Sequence, residues 1–242
     1  MKFAIIIPCY NGEKFLKQSI ISALNQTYQD LEVIFVDNDS NDRSLEIALE
    51  LQKERGKIIV DTAPNLYKYS YQEPVEKALS LTDAEYFTIL GADDYITNDY
   101  VSNVCEILIK SDKKINFLQS PIRGIKGDTE SFVGDLKHHY KNKTELRSML
   151  LNQCPVNTPS MIFNKKLYDD GIIEWNSQEF LGAVDYDCYC RIVDKGHFIY
   201  PYPKWLGYYY RWHENQATWG MHKEQTNYDK KIQDFWRSKW KI

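Results

Sequence analysis

The sequence predicts an α/β fold in which a mostly parallel, Rossmann-like sheet is flanked by helices and followed by a helical C-terminal extension. Three observations carry this. From Phe3 to about Ser120, strand-like apolar runs alternate with segments of helical periodicity, the pattern of repeated βαβ units. Two of those runs end in acid clusters: Leu31-Glu32-Val33-Ile34-Phe35-Val36 leads into Asp37-Asn38-Asp39-Ser40, and Glu85-Tyr86-Phe87-Thr88-Ile89-Leu90 into Gly91-Ala92-Asp93-Asp94. Parallel strands would bring both clusters to one sheet edge, the edge where open α/β sheets bind ligands. Finally, 242 residues of which 43% are hydrophobic suffice for one large core but are too few for two comfortable domains.

The expected strands are Phe3 to Ile7, Leu31 to Val36, Lys57 to Asp61, Glu85 to Leu90 and Ile115 to Gln119. Between them, Phe15, Leu16, Ile20, Ala23 and Leu24 mark one helical face, and Leu45, Ala48 and Leu49 another. Val101, Val104, Cys105, Leu108 and Ile109 keep helical spacing throughout. Beyond Pro121, the stretch from Arg123 to His139 is rich in Gly, Lys, Asp and His and reads as a long loop or mobile excursion. A helix over 143–151, a strand over 160–163, a helix over 183–195 stopped by Gly196, and strands over 198–202 and 206–212 follow.

Composition excludes several classes. A net charge of -4 argues against a nucleic-acid binder, which needs a basic footprint. Five cysteines without CxxC or zinc spacing fit a reducing compartment, with Cys9 and Cys105 as small core residues. The short apolar run before Pro8 reads as a first strand rather than a secretion signal, and no stretch approaches the roughly 20 apolar residues of a spanning helix. The expected location is the cytoplasm, or the inner face of a membrane. Clustered carboxylates repel unless a cation or basic ligand group joins them, so the acid clusters point to a metal-assisted handler of a phosphorylated compound. Mg²⁺ or Mn²⁺ suits such a site, since both prefer carboxylate and phosphate oxygens.

Ile5-Ile6-Ile7-Pro8-Cys9-Tyr10-Asn11-Gly12, Asp37-Asn38-Asp39-Ser40 and Gly91-Ala92-Asp93-Asp94, in this order and spacing, resemble glycosyltransferase family 2. The resemblance is strong over residues 3–110 and traceable to about 218. It implies a GT-A fold and transfer of a sugar, with inversion, from a nucleotide diphosphate donor to an acceptor hydroxyl. Residues 1–218 would form the transferase domain, with 1–120 holding the donor and 121–218 the acceptor, and 219–242 the extension. By the same resemblance, Asp94 is the metal carboxylate and Asp93 faces donor hydroxyls. Pro8, Tyr10 and Asn11 line the donor site, with Tyr10 stacking on the base. Relatives commonly carry an acid at the place of Asn38, where it accepts from the base's ring N–H; the Asn38 carbonyl can still accept, and Asp37 lies beside it. UDP is the favoured carrier.

A glycine and an Arg-Asn pair common in relatives are missing between Asn65 and Leu79, leaving Lys68 as the local positive charge. This departure gives footing to an alternative, a non-catalytic nucleotide-sugar binding or scaffold partner of another transferase. A sugar nucleotidyltransferase would want a Gly-rich phosphate loop after the first strand, and Pro8-Cys9-Tyr10-Asn11-Gly12 is not one.

On a helix of 3.6 residues per turn, Val184, Cys188, Tyr189 and Ile192 form an apolar arc with Asp185 near its middle, while Asp187 and Arg191 fall on the far side and pair at i, i+4. Partial burial raises a carboxyl pKa toward general-base values, and Asp185 also matches the family's catalytic carboxylate. Asp187 is expected on the surface. Alternation puts Arg211 and His213 on one face of the last strand, and the resemblance places such residues near the metal and diphosphate. The tail mixes Lys223, Lys230, Lys231, Arg237, Lys239 and Lys241 with Tyr228, Phe235, Trp236 and Trp240. It fits either a helix lying on an anionic bilayer or one packed on the domain or a second subunit. The acceptor implied is a glycan or lipid-linked saccharide of a bacterial surface polysaccharide.

Overall fold

Continuous apolar runs such as Phe3–Ile7 can bury both faces only in a sheet covered by helices on each side, and the computed structural model, which describes residues 1–241, has that form. The first part runs β1 (Phe3–Cys9), α1 (Glu13–Leu24), β2 (Leu31–Asp37), α2 (Ser44–Arg55), β3 (Ile58–Thr62), α3 (Gln72–Leu79) and β4 (Tyr86–Ile89). It continues with β5 (Tyr95–Ile96), α4 (Tyr100–Lys110), β6 (Phe117–Gln119), β7 (Ile122–Lys126), β8 (Ser131–Leu136) and α5 (Lys143–Leu150). Then come β9 (Ile162–Asn164), α6 (Lys165–Asp169), α7 (Ser177–Phe180), α8 (Val184–Asp194), β10 (Ile199–Pro201), β11 (Tyr208–Trp212), α9 (Ala217–His222) and α10 (Tyr228–Trp240).

The large sheet has the order β10-β6-β9-β4-β1-β2-β3. All its pairings are parallel except those of β9, which runs against both β4 and β6. Period-two alternation divides β1 between two cores. Ala4 and Ile6 face Val75 and Ala78 of α3 and the apolar side of α8, whereas Phe3, Ile5 and Ile7 face Leu16 and Ile20 of α1 and Val104 of α4. A smaller sheet, β5-β11-β7-β8, adjoins the C-terminal edge of the large one.

The expected α/β architecture is present, three readings are corrected, and one helix is added. The stretch over 123–139 is a β-hairpin, not a loop. Its β8 lies at a sheet edge with Phe132 and Val133 exposed, and a register shift at Gly124/Ile125 breaks the alternation that would have betrayed it. In α2, Ala48 and Leu51 face inward while Leu49 is exposed. Helix α3 went unread because Pro74 lies in its first turn, where the missing N–H costs no intrahelical bond. Asp187 is fully buried, because the tail covers the side of α8 that the helical wheel assigned to solvent.

That covering helix is α10. Ile232 and Trp236 are buried in the same core as α8, the Trp236 indole Nε1 donates to Asp187 Oδ1 at 2.8 Å, and the Trp240 indole donates to Asp194 at 2.9 Å. Arg191 pairs with the other Asp187 oxygen at 2.5 Å. The indoles that a bilayer reading would have used thus face the domain. Among the described residues, no helix is long and apolar enough to cross a membrane. Trp236→Ala opens a cavity and leaves Asp187 Oδ1 without its donor; we expect a loss of about 3–5 kcal/mol in urea unfolding.

Candidate active site

Because β4, β1 and β2 are parallel neighbours, the loops after them emerge side by side. Cys9 pairs with Asp37, and Leu90 N–H donates to Ile6 O at 2.8 Å. Asn11, at φ 52°, donates its N–H to Ser40 Oγ and accepts from Asn41 N–H, at 2.9 and 2.8 Å, clipping the first loop to the second. Gly12 binds Ser44 Oγ through its N–H at 2.9 Å, and a Cβ here would come within 2.8 Å of Cys9 Sγ and 3.2 Å of Ala92 Cβ. Only a bare residue lets the three loops meet so closely. Pro8 is half-buried beneath them, and Tyr10 presents a ring that is 52% exposed.

Asp37 and Asn38 are buried at the end of β2. Asp37 Oδ2 accepts from Ser40 N–H at 2.9 Å, and Asn38 N–H donates to Cys9 O at 2.7 Å. Asp37 Oδ1 and Asn38 Oδ1 have no partner among the described residues. A buried acceptor left unmade costs about 1–3 kcal/mol, so two of them side by side mark a place suited to ligand N–H and O–H donors.

The acid pair after β4 divides its work. The turn closed by Asp94 N–H on Gly91 O sends Asp94 inward, where Oδ2 accepts from the Tyr208 hydroxyl and Oδ1 from Arg211 N–H, both at 2.8 Å. Burial, reinforced by the charge of Asp93, holds the Asp94 carboxyl well above the usual range. Asp93 stays half-exposed, with Oδ2 2.8 Å from His213 Nε2. A Cβ on Gly91 would approach Asp94 Oδ2 to 2.7 Å and Asp93 Oδ1 to 2.8 Å, so the glycine permits both carboxylates to fold back over it. The buried Asp94 thus has both oxygens engaged by β11, and the carboxylate that faces outward beside an imidazole is Asp93.

Arg211 and His213 both reach Asp93, as alternation along the strand requires. The Arg211 guanidinium, however, is buried. Its Nε donates to Asp93 O at 2.8 Å, its Nη2 to Gln18 Oε1 at 2.6 Å and Glu130 Oε1 at 3.2 Å, and it lies over the Phe15 ring at 4.4 Å. The guanidinium expected on the donor is therefore taken up by protein, and Arg211 ties α1, the β7–β8 turn and the acid loop together. Lys68 is likewise neutralised by Glu224 at 2.5 Å.

Asp185 opens α8 on the opposite core. Its Oδ2 accepts from Thr158 Oγ1 at 2.5 Å and its Oδ1 from Tyr186 N–H at 2.7 Å, while burial raises its carboxyl above the ordinary value. Thr158 belongs to a short turn, Thr158–Ser160, just before β9. Since β9 is antiparallel to β4, with Ile162 opposite Thr88, its start lies at the C-terminal edge of the parallel strands, and this turn abuts β11. Asp185 thus approaches the edge that carries Asp37, Asn38, Asp93 and Asp94.

Residues 4–172 match the family described as Glycosyl transferase family 2. The chain belongs to this family. An uncharacterized glycosyltransferase of Haemophilus influenzae is 26% identical over 237 residues, covering 95% of this chain and 71% of the relative. The chondroitin synthase of Pasteurella multocida is 25% identical over 195 residues, 81% of this chain but 19% of that much longer protein. The crystal structure of Staphylococcus aureus TarS 1–349 in complex with UDP-GlcNAc superposes with a TM-score of 0.68 at 18% identity, over 93% of this chain and 62% of that one. The fold is therefore that of the GT-A glycosyltransferases.

Within this family 2 member, sequence reasoning missed Tyr208, Thr158, Gln18 and Glu130. Each acts through a partner distant in sequence, and none lies in a motif. Tyr208 also receives Gly91 N–H at 3.1 Å, so Tyr208→Phe strands two groups at once. We expect it to cost about 1–3 kcal/mol, read as a lower urea midpoint with an unchanged slope.

Proposed function

We propose that the chain moves a sugar from a nucleotide diphosphate donor, UDP favoured, to a hydroxyl of a saccharide acceptor with inversion at the anomeric carbon. The observation that carries this reading is the convergence on one sheet edge of an outward Asp93–His213 pair, two orphaned acceptors beside an exposed tyrosine, and Asp185 with its raised pKa. In this reading Tyr10 stacks on the base, Asn38 Oδ1 accepts its ring N–H, and Asp37 Oδ1 accepts a ribose hydroxyl. The UDP-GlcNAc complex of TarS supports a uridine carrier. The chondroitin synthase among the relatives supports a growing glycan as acceptor.

A divalent cation fits Asp93 and His213. Among the described residues no group of three or more His, Cys, Asp or Glu could hold a metal, and Mg²⁺ or Mn²⁺ typically takes about one or two protein carboxylates and completes its shell with substrate phosphates and water. The 2.8 Å hydrogen bond between Asp93 and His213 brings one oxygen and one nitrogen donor together. When bound, such a cation stabilises the charge that develops on the departing diphosphate. Arg211 holds the acid loop in place through the Asp93 carbonyl. Asp185, oriented by Thr158, takes the proton of the attacking acceptor hydroxyl, and a raised pKa makes its carboxylate a stronger base for that step.

Asp185→Asn should bind UDP and Mn²⁺ as the wild type does yet lose transfer by roughly 10²–10⁴-fold. Normal turnover in that variant would remove Asp185 from the chemistry, and absence of donor turnover in the wild type would favour a non-catalytic donor-binding partner. Since only the ionised form accepts a proton, the acid limb of kcat/KM should lie above the ordinary aspartate value of about 3.9. Asp93→Ala should abolish the part of the UDP-induced rise in Tm that depends on Mn²⁺.

A further inference from the structure

The loop from β3 to α3, where this chain departs from its relatives, runs from the donor edge to the start of α8. At one end the Asn38 side-chain amide donates to Ser70 O at 3.5 Å. At the other, the Ser70 and Ser177 hydroxyls share a hydrogen bond of 2.6 Å, and Gln72 Oε1 accepts from Ser177 N–H at 3.0 Å. Ser177 opens α7, which runs through a turn at Leu181–Ala183 straight into α8.

Tyr69 stands at the crossing. Its φ of 64° lies in the left-handed region, as does that of Leu181 at 47°. Bulky residues hold that conformation where their surroundings enforce it, and such outliers gather at functional sites. The two strained positions meet through Gly182: a Cβ there would lie 2.8 Å from Tyr69 Cβ and 2.9 Å from Tyr69 O. On the other side, a Cβ on Gly220 of α9 would come within 2.5 Å of Tyr69 Cε1. Tyr69 is thus clasped between two bare backbones. Lys68 Nζ lies 4.6 Å from the centre of the Tyr69 ring and fastens the same loop to Glu224 at 2.5 Å. Asp185 follows shortly after Gly182 in the first turn of α8. Burial holds the Tyr71 hydroxyl well above its usual range and the charge of Asp185 adds to this, in keeping with a loop that adjoins that carboxylate.

We propose that Tyr69 is a positioning residue that holds the turn opening α8, and with it the Asp185 carboxylate, against the loop of the donor edge. This rests on the transferase reading above and adds a residue that the reaction needs although it acts through Gly182 and not on the sugar. Two measurements on the full chain test it. In hydrogen exchange read by mass spectrometry, residues 181–187 should exchange about tenfold faster in Tyr69→Ala than in the wild type, with α4 unchanged. In UDP release with Mn²⁺ from UDP-glucose, UDP-galactose or UDP-N-acetylglucosamine, Tyr69→Ala should lower kcat by roughly 10–100-fold on the best-used donor, while the affinity for UDP–Mn²⁺ stays within about threefold.

Tyr69→Phe keeps the ring between the glycines and should restore both readings. Gly220→Ala displaces the ring by its own methyl group, so it should reproduce the loss in kcat in the wild-type background and add nothing to Tyr69→Ala. Should Tyr69→Ala fail to fold, Gly220→Ala alone carries the same expectations. Unchanged exchange at 181–187, an unchanged kcat, a loss in kcat matched by an equal loss of UDP–Mn²⁺ affinity, failure of Tyr69→Phe to restore activity, or additive effects of the two substitutions overturns the proposal. Absence of UDP release from every donor in the wild type would instead strike the transferase reading, with the exchange measurement still deciding what Tyr69 holds.

Discussion

The buried carboxylate of Asp94 is the constraint on which the site depends. A carboxylate withdrawn from water is costly unless its oxygens are hydrogen-bonded, and here the donors are the Tyr208 hydroxyl and the Arg211 backbone N–H. Meeting that requirement fixes β11 against the loop after β4. It thereby joins the small sheet to the large one at the C-terminal edge of the parallel strands. With β11 fixed, His213 falls beside Asp93 and Arg211 beneath it.

Arg211 extends this arrangement. Its planar guanidinium reaches three separate segments, α1 through Gln18, the acid loop through Asp93 O, and the β7–β8 hairpin through Glu130, while stacking on Phe15. A lysine at this position could not serve all of these in fixed directions. The outward pair of Asp93 and His213 is thus supported from behind by the buried Arg211 guanidinium and Asp94 carboxylate.

Much of the fold was legible because it rests on local rules. The run Phe3–Ile7 announces a strand covered on both faces, the stripe Val101, Val104, Cys105, Leu108 announces α4, and acid clusters at strand ends announce the ligand edge. What was not legible depends on partners far along the chain. Asp187 reads as a solvent residue until α10 covers it, and β8 reads as a loop because its apolar residues lie exposed on an edge. At the site, sequence located Asp93 and Asp94 as a pair. Which of the two turns inward is decided by β11, more than a hundred residues away in the chain, as the bonds to Tyr208 and Arg211 record.

The reversed strand β9 has one further consequence. It has only three residues, yet it pairs with β4 on one side and β6 on the other, so it is the seam along which the two halves of the sheet are joined. Side chains alternate at every residue of a strand, so a slip of one position would turn each of them to the opposite face. The turn before it would swing with the strand and carry Thr158 away from the Asp185 carboxylate. The position of the Asp185 carboxylate relative to the edge that carries Asp93 is therefore set by the pairing register of one very short strand.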